Sequence, residues 1–96
     1  MDKEVCFFLI NDRGEKTTYL AYRCPGCKTH HSVDVTRWKF NGDMVKPTFS
    51  PSVLTGIENF TKRRCHSFVK DGKIQYLSDC FHELKNQTVD IPPEEE

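Results

Sequence analysis

Five cysteines and four histidines are distributed so that several of them can meet at one metal ion. Cys24 and Cys27 bracket a Cys-Pro-Gly-Cys turn, and Cys65-His66 and Cys80-x-His82 stand at the two ends of a later strand pair. A Cys-x-x-Cys turn aims two thiolates at one ion, and its glycine lets the backbone amides swing toward the sulfurs, as in zinc knuckles. A thioredoxin-like redox pair would need a strand before it and a long helix after it. Here the turn runs instead into the strand-like "KTHHSVDV". A knuckle supplies half of a tetrahedral site, so the remaining ligands must come from elsewhere in the chain.

The second half can be located by counting back from a turn. Asp71-Gly72 reads as a two-residue hairpin loop. Lys70 then pairs with Lys73, Val69 with Ile74, Phe68 with Gln75, Ser67 with Tyr76, His66 with Leu77 and Cys65 with Ser78. Side chains alternate across a strand, so Cys65, Ser67, Val69, Ile74, Tyr76 and Cys80 share one face, and His66 and Phe68 share the other. Cys24, Cys27, Cys65 and Cys80 are therefore the expected ligands of a structural Zn²⁺. His31, His66 and His82 are alternative ligands close to them in sequence. Cys6, in a strand beside Phe7 and Phe8, reads as a small core residue.

A closed four-thiolate ion does no chemistry, whereas three ligands plus water would make an enzyme. On that second reading His66, Asp79 and His82 are the catalytic candidates, with Asp79 or Glu83 as general base. Trp38 is a candidate binding residue, in a basic-aromatic strip.

The elements that must position these groups are short and mostly β. "EVCFFLI" and "KTTYLAYRC" flank the turn signal "NDRG" and read as a first hairpin. "HHSVDVTRWKF" reads as one alternating run with Val33, Val35, Trp38 and Phe40 inward, ending at Asn41-Gly42. Two prolines in "KPTFSPSVLTGI" predict an irregular edge segment. "ENFTKRR" reads as a single turn or loop. "SDCFHELKNQ" predicts the one helix, about two turns long, capped by Ser78 or Asp79. "TVDIPP" is a last extended piece. The expected fold is mainly β (small α+β), with β-hairpins around a zinc-ribbon-like site and one short C-terminal helix. Residues 1–92 form a single zinc-stabilised domain and 93–96 an acidic tail.

Ninety-six residues suit one domain, small enough to gain from a metal staple. The 14 basic residues balance the 14 acidic ones, so no net field draws the molecule to DNA or anionic membranes. That disfavours a nucleic-acid role for the strip Arg37-Trp38-Lys39-Phe40 and makes the cluster Lys62-Arg63-Arg64 a solvated loop. The longest apolar run, from Val5 to Ile10, is far shorter than the roughly 20 residues of a membrane span. Met1-Asp2-Lys3-Glu4 leads into it without a signal-peptide cleavage site. The expected location is cytoplasmic, where five cysteines are metal ligands or free thiols in preference to disulfides.

The set Cys24, Cys27 and His31; Trp38, Asn41 and Gly42; Pro47, Thr48, Pro51 and Ser52; Cys65, His66, Phe68, Asp71 and Gly72; Asp79, Cys80 and His82; and Gln87, Thr88 and Val89 resembles a small, uncharacterised zinc-knuckle domain family of tailed bacteriophages and prophages. That family is sometimes carried under the label "ammonia monooxygenase". Asn86 departs from it, standing where a small residue or glycine is more usual. The resemblance implies a phage or prophage protein in the host bacterial cytoplasm, but no reaction, and it implies that Thr48, Ser50, Ser52, His66, Asp79 and His82 form one working surface. The leading expectation is a zinc-stabilised binding module acting on a host or phage protein, with host defence as one target, and with oligomerisation left open. A metal-dependent hydrolase using His66 or His82, and a nucleic-acid-binding zinc ribbon, are the alternatives.

Overall fold

The computed structural model describes residues 3–55 and 64–93. The expected turn at 58–64 lies outside them except for Arg64, as do Lys62 and Arg63 of the basic cluster and the acidic tail 94–96. Eight strands are described: β1 (Cys6–Ile10), β2 (Lys16–Cys24), β3 (Thr29–Asp34), β4 (Lys39–Phe40), β5 (Phe49–Thr55), β6 (Cys65–Lys70), β7 (Lys73–Tyr76) and β8 (Thr88–Asp90). They form two antiparallel meanders, a three-stranded sheet β1-β2-β3 and a five-stranded sheet β4-β5-β6-β7-β8.

The first hairpin turns where the sequence signals it. The Asn11 side-chain oxygen accepts from the amides of Arg13 and Glu15, both at 2.9 Å, and Gly14 takes a φ of 79°. The "CPGC" turn then closes β2 onto β3. The long run after it is two strands, not one. Asp34 breaks it: its carbonyl accepts from Arg37 and Trp38, and its carboxylate from the amide and hydroxyl of Thr36. The chain thereby leaves the first sheet, and β4 opens the second. Tyr22 of β2 and Phe49 of β5 stack at 5.8 Å between ring centroids, within one core that also holds Leu20, Val33, Val53, Val69, Ile74, Tyr76 and Ile91.

The hairpin from β6 to β7 has the register counted from its Asp-Gly turn, from Lys70↔Lys73 to Ser67↔Tyr76. Beyond the strand ends the Leu77 amide still donates to His66 O, at 3.0 Å. Burial alternates as expected, with Cys65, Ser67 and Val69 inward and His66, Phe68 and Lys70 more exposed.

Two further expectations are overturned. The "KPTFSPSVLT" stretch is not an irregular edge but contains β5, which lies between β4 and β6. Pro51 is accommodated because the β5–β6 register breaks around it. Four steps from Phe49 to Val53 face only two from Val69 to Ser67, and such a bulge asks no amide of proline. The expected C-terminal helix is also absent: among the described residues there is no helix, and the fold is all-β. Residues 78–87 form a succession of turns. The Phe81 amide donates to Arg64 O at 2.7 Å and the Asn86 amide to Tyr76 O at 3.0 Å, so these donors go to the residue just before β6 and to the end of β7, not to carbonyls four residues back. Cys80 and His82 are both drawn into the core, and a two-turn helix would put them on different sides.

Candidate active site and metal centre

The β5 bulge and β6 bring together three side chains of complementary chemistry. Leu54 pairs directly with His66 across the two strands, and Ser52 lies two residues before Leu54 on the same face. Ser52 is thus a diagonal neighbour of His66, and its Oγ lies 3.0 Å from His66 Nε2. On the opposite side of the ring, Nδ1 faces both carboxylate oxygens of Asp79, at 3.2 and 3.3 Å. Arg64 Nη1 holds Asp79 from behind at 3.4 Å. The indole N–H of Trp38 donates to Ser52 O at 3.2 Å and fixes the strand on the serine's own residue.

The arrangement has the geometry of a hydroxyl–imidazole–carboxylate relay: a base within hydrogen-bond reach of the hydroxyl, oriented by a third group. Desolvation pushes the Asp79 carboxyl upward, but the hydrogen bond and charge of His66, with Arg64 behind, hold it below its ordinary value. It is therefore ionised at neutral pH and holds the proton of His66 on Nδ1. That leaves Nε2 free to accept from Ser52. The His66 side chain keeps 25% of its surface exposed, so the pair is reachable from solvent.

A second cluster lies on the opposite face of β6. Cys24, Cys27, Cys65 and His82 offer three sulfurs and one nitrogen that all lie within 4.8 Å of one another. Cys24 closes β2, Cys65 opens β6, and the Cys27 amide points at Cys24 Sγ at 3.4 Å, the amide-to-sulfur geometry that glycine in the turn permits. A Cβ on Gly26 would overlap the His82 ring, so the knuckle packs directly on that imidazole.

The donor set fits a tetrahedral ion. Metal–sulfur and metal–nitrogen bonds of about 2.3 and 2.0 Å imply edges of about 3.8 Å between sulfurs and about 3.5 Å between sulfur and nitrogen. Cys24 Sγ to Cys65 Sγ is 3.9 Å and Cys65 Sγ to His82 Nε2 is 3.6 Å. His31 Nε2 is buried without a hydrogen-bond partner, a nitrogen left over beside the cluster.

The thiols compete for one negative charge. The Cys24 thiol is pushed down, foremost by its hydrogen bond with Cys65, against the cost of burial and with help from His31 and the Tyr76 hydroxyl 3.0 Å away. Cys65 is pushed up in return, first by the same bond and then by burial. Cys27 is pushed up to about 12 by burial and by the charge on Cys24. A cation shared among them removes this competition.

A family model described as "Bacterial ubiquitination-like system serine protease (BubE)" matches residues 2–77, most of the chain. The chain belongs to the BubE family. Ser52 and His66 lie inside the matched segment, and Asp79 and His82 lie beyond its end. No curated protein and no solved structure matches the chain.

In this BubE-family chain the sequence-derived candidates divide into two groups. Cys24, Cys27, Cys65 and His82 make up the metal quartet. Cys80 is buried just outside it, with Sγ 3.1 Å from His82 Nε2. His66 and Asp79 are together but away from the quartet, joined to Ser52. Of the other candidate binding residues, Trp38 braces Ser52, and the Thr48 hydroxyl accepts from the Asp71 amide at 2.9 Å, closing a turn. Ser50 pairs with Lys39 and is exposed, and Glu83 is exposed too. Sequence reasoning placed Ser52 among binding residues and did not join it to His66 and Asp79. Ser52, His66 and Asp79 are the three residue types of a triad, but nothing in their spacing along the chain joins Ser52 to the other two. Among the described residues, no helix is long and apolar enough to cross a membrane.

Proposed function

We propose that this chain is a serine hydrolase that cleaves an amide bond of a protein substrate within a bacterial ubiquitination-like system, with Ser52 as nucleophile. The observation that carries this reading is the continuous relay from Ser52 Oγ to His66 Nε2, at 3.0 Å, and from His66 Nδ1 to Asp79, at 3.2 Å. The family's description as a serine protease supports it independently.

In the proposed reaction Ser52 Oγ attacks the scissile carbonyl while His66 Nε2 takes its proton. The resulting imidazolium is stabilised by ionised Asp79. His66 then gives the proton to the leaving amine, and water, deprotonated by the same ring, hydrolyses the acyl-serine. Triads arise on unrelated folds in different chain orders, so the order Ser52, His66, Asp79 is no objection.

A metal ion on Cys24, Cys27, Cys65 and His82 supplies folding energy in this reading, and zinc suits the three-sulfur, one-nitrogen set. Its ligands flank the relay along the chain: Cys65 precedes His66, and His82 follows Asp79 by three residues. The metal thus holds both ends of the His66–Asp79 contact without touching the reacting serine. The metal-dependent hydrolase alternative gives way to this reading because His66 is committed to Ser52 and Asp79. A binding module acting on a host or phage protein is the weaker reading, since a docking surface has no need of that relay. The phage or prophage setting in a bacterial cytoplasm is kept as part of the same proposal.

The test is turnover of quenched fluorescent peptides by the purified chain. Ser52→Ala should abolish it, and Asp79→Asn should reduce kcat by about 10⁴-fold, with metal content unchanged in both. Turnover that survives Ser52→Ala would overturn the assignment.

A further inference from the structure

The outward patch around the proposed nucleophile has a second pair of residues. Leu54 is 40% exposed and Phe68 43% exposed, both among the large hydrophobic side chains that reach solvent. Isolated apolar residues on a surface are ordinary. These two are not isolated from the relay, because Leu54 is the direct cross-strand partner of His66, and Phe68 follows His66 by two on the same face of β6. Leu54 and Phe68 therefore both adjoin His66 on its outward face, where Ser52 Oγ meets the ring at 3.0 Å. Gln75, paired with Phe68 on β7 and exposed, gives the patch a polar margin.

An amide bond lying over Ser52 must place the side chains next to it on this patch. We propose that Leu54 and Phe68 are specificity-determining residues that receive a bulky aliphatic or aromatic side chain of the substrate beside the scissile bond. The inference rests on the reading of Ser52 as nucleophile. It adds the substrate class: an exposed, extended peptide segment with an apolar residue adjoining the cleaved amide, not a charged or glycine-only segment. Apolar contact of this kind strengthens as water is expelled from between the surfaces, and it selects by size more than by shape.

A positional library of internally quenched peptides, cleaved by the purified chain, tests this. At one position adjoining the cleaved bond, Leu or Phe should exceed Gly or Asp by about tenfold or more in kcat/KM. Leu54→Ser and Phe68→Ser should bring that ratio down to about twofold or less, chiefly through KM, while a fluorophosphonate probe still labels Ser52. Phe68→Arg should shift preference toward Asp and Glu, a gain that loss of structure cannot produce. Wild-type selectivity retained in the variants, or Ser52-dependent cleavage without apolar preference, would overturn the proposal and leave the triad standing. Variants that change only self-association would overturn it as well. Loss of both labelling and cleavage at Ser52 in the wild-type chain would overturn the triad and the specificity assignment together.

Discussion

Cys65 and His66 are consecutive residues on β6 that serve opposite faces of one sheet. Cys65 Sγ joins the sulfurs and His82 inside the core, and His66 meets Ser52 and Asp79 outside it. Asp79 and Cys80 repeat the arrangement at the other end of the hairpin, Asp79 outward on His66 and Cys80 inward on His82. Cys65 and His66 diverge because successive residues of a strand point to opposite faces, Asp79 and Cys80 because the turn there parts them, and clamping one member of each pair fixes the other. The candidate metal quartet and the relay are in this sense coupled through the β6–β7 hairpin and the turns that follow it.

Removing the metal should therefore unfold the chain and not merely loosen one loop. A domain this small has only about 5–15 kcal/mol of net stability, and a structural zinc ion contributes a comparable amount. Chelator titration followed by far-ultraviolet circular dichroism should show loss of β structure in step with metal release. X-ray absorption on the intact protein should report three sulfur and one nitrogen neighbours. A fully folded, metal-free chain would contradict the structural role.

Gly26→Ala tests the packing of the knuckle on His82. The added methyl would overlap the imidazole, which cannot move away and still reach the quartet. Metal affinity should fall by about 10–100-fold, the range found when groups supporting a ligand are disturbed. Competition with a chromogenic chelator measures it.

Asn86 takes a φ of 66°, a left-handed conformation that favours glycine. Asn86→Gly should leave stability nearly unchanged, whereas Asn86→Ala should cost about 1 kcal/mol, read from urea denaturation. The position belongs to the segment where a helix was expected. A left-handed residue there, well tolerated by asparagine, closes the turns that replace it.

Asp43 provides a pH test remote from both sites. Its carboxyl is held below the ordinary value, first by the Lys46 amide at 3.0 Å and then by the Val45 amide at 2.9 Å. A lowered folded-state pKa stabilises the protein above the unfolded value of about 3.9, and that stability disappears as pH falls through the folded value. The difference in melting temperature between the wild type and Asp43→Asn should be constant from neutral pH down to about 5 and should shrink below about 4.

Much of the site was legible in the sequence because it rests on local geometry. Counting from Asp71-Gly72 placed Cys65 inward and His66 outward, and the spacing of "CPGC" marked the knuckle. The role of Ser52 was not legible, because it depends on which strand pairs with β6 and on a bulge around Pro51 that only tertiary pairing reveals. The helix failed for a related reason. Its local signals in "SDCFHELKNQ" were real, but burial of Cys80 and His82 and the bond from Phe81 to Arg64 draw the backbone elsewhere. Tertiary contacts overrode a propensity worth only tenths of a kcal/mol per residue.

The most direct measurement is covalent labelling of the metal-loaded chain with a fluorophosphonate, located by peptide mass spectrometry. The adduct is predicted on Ser52 alone. Labelling should be lost in Ser52→Ala and strongly slowed in His66→Ala, with the metal retained in both. An unlabelled wild-type chain, or an adduct on another serine that persists in Ser52→Ala, would contradict the assignment of Ser52, His66 and Asp79 as the reacting centre.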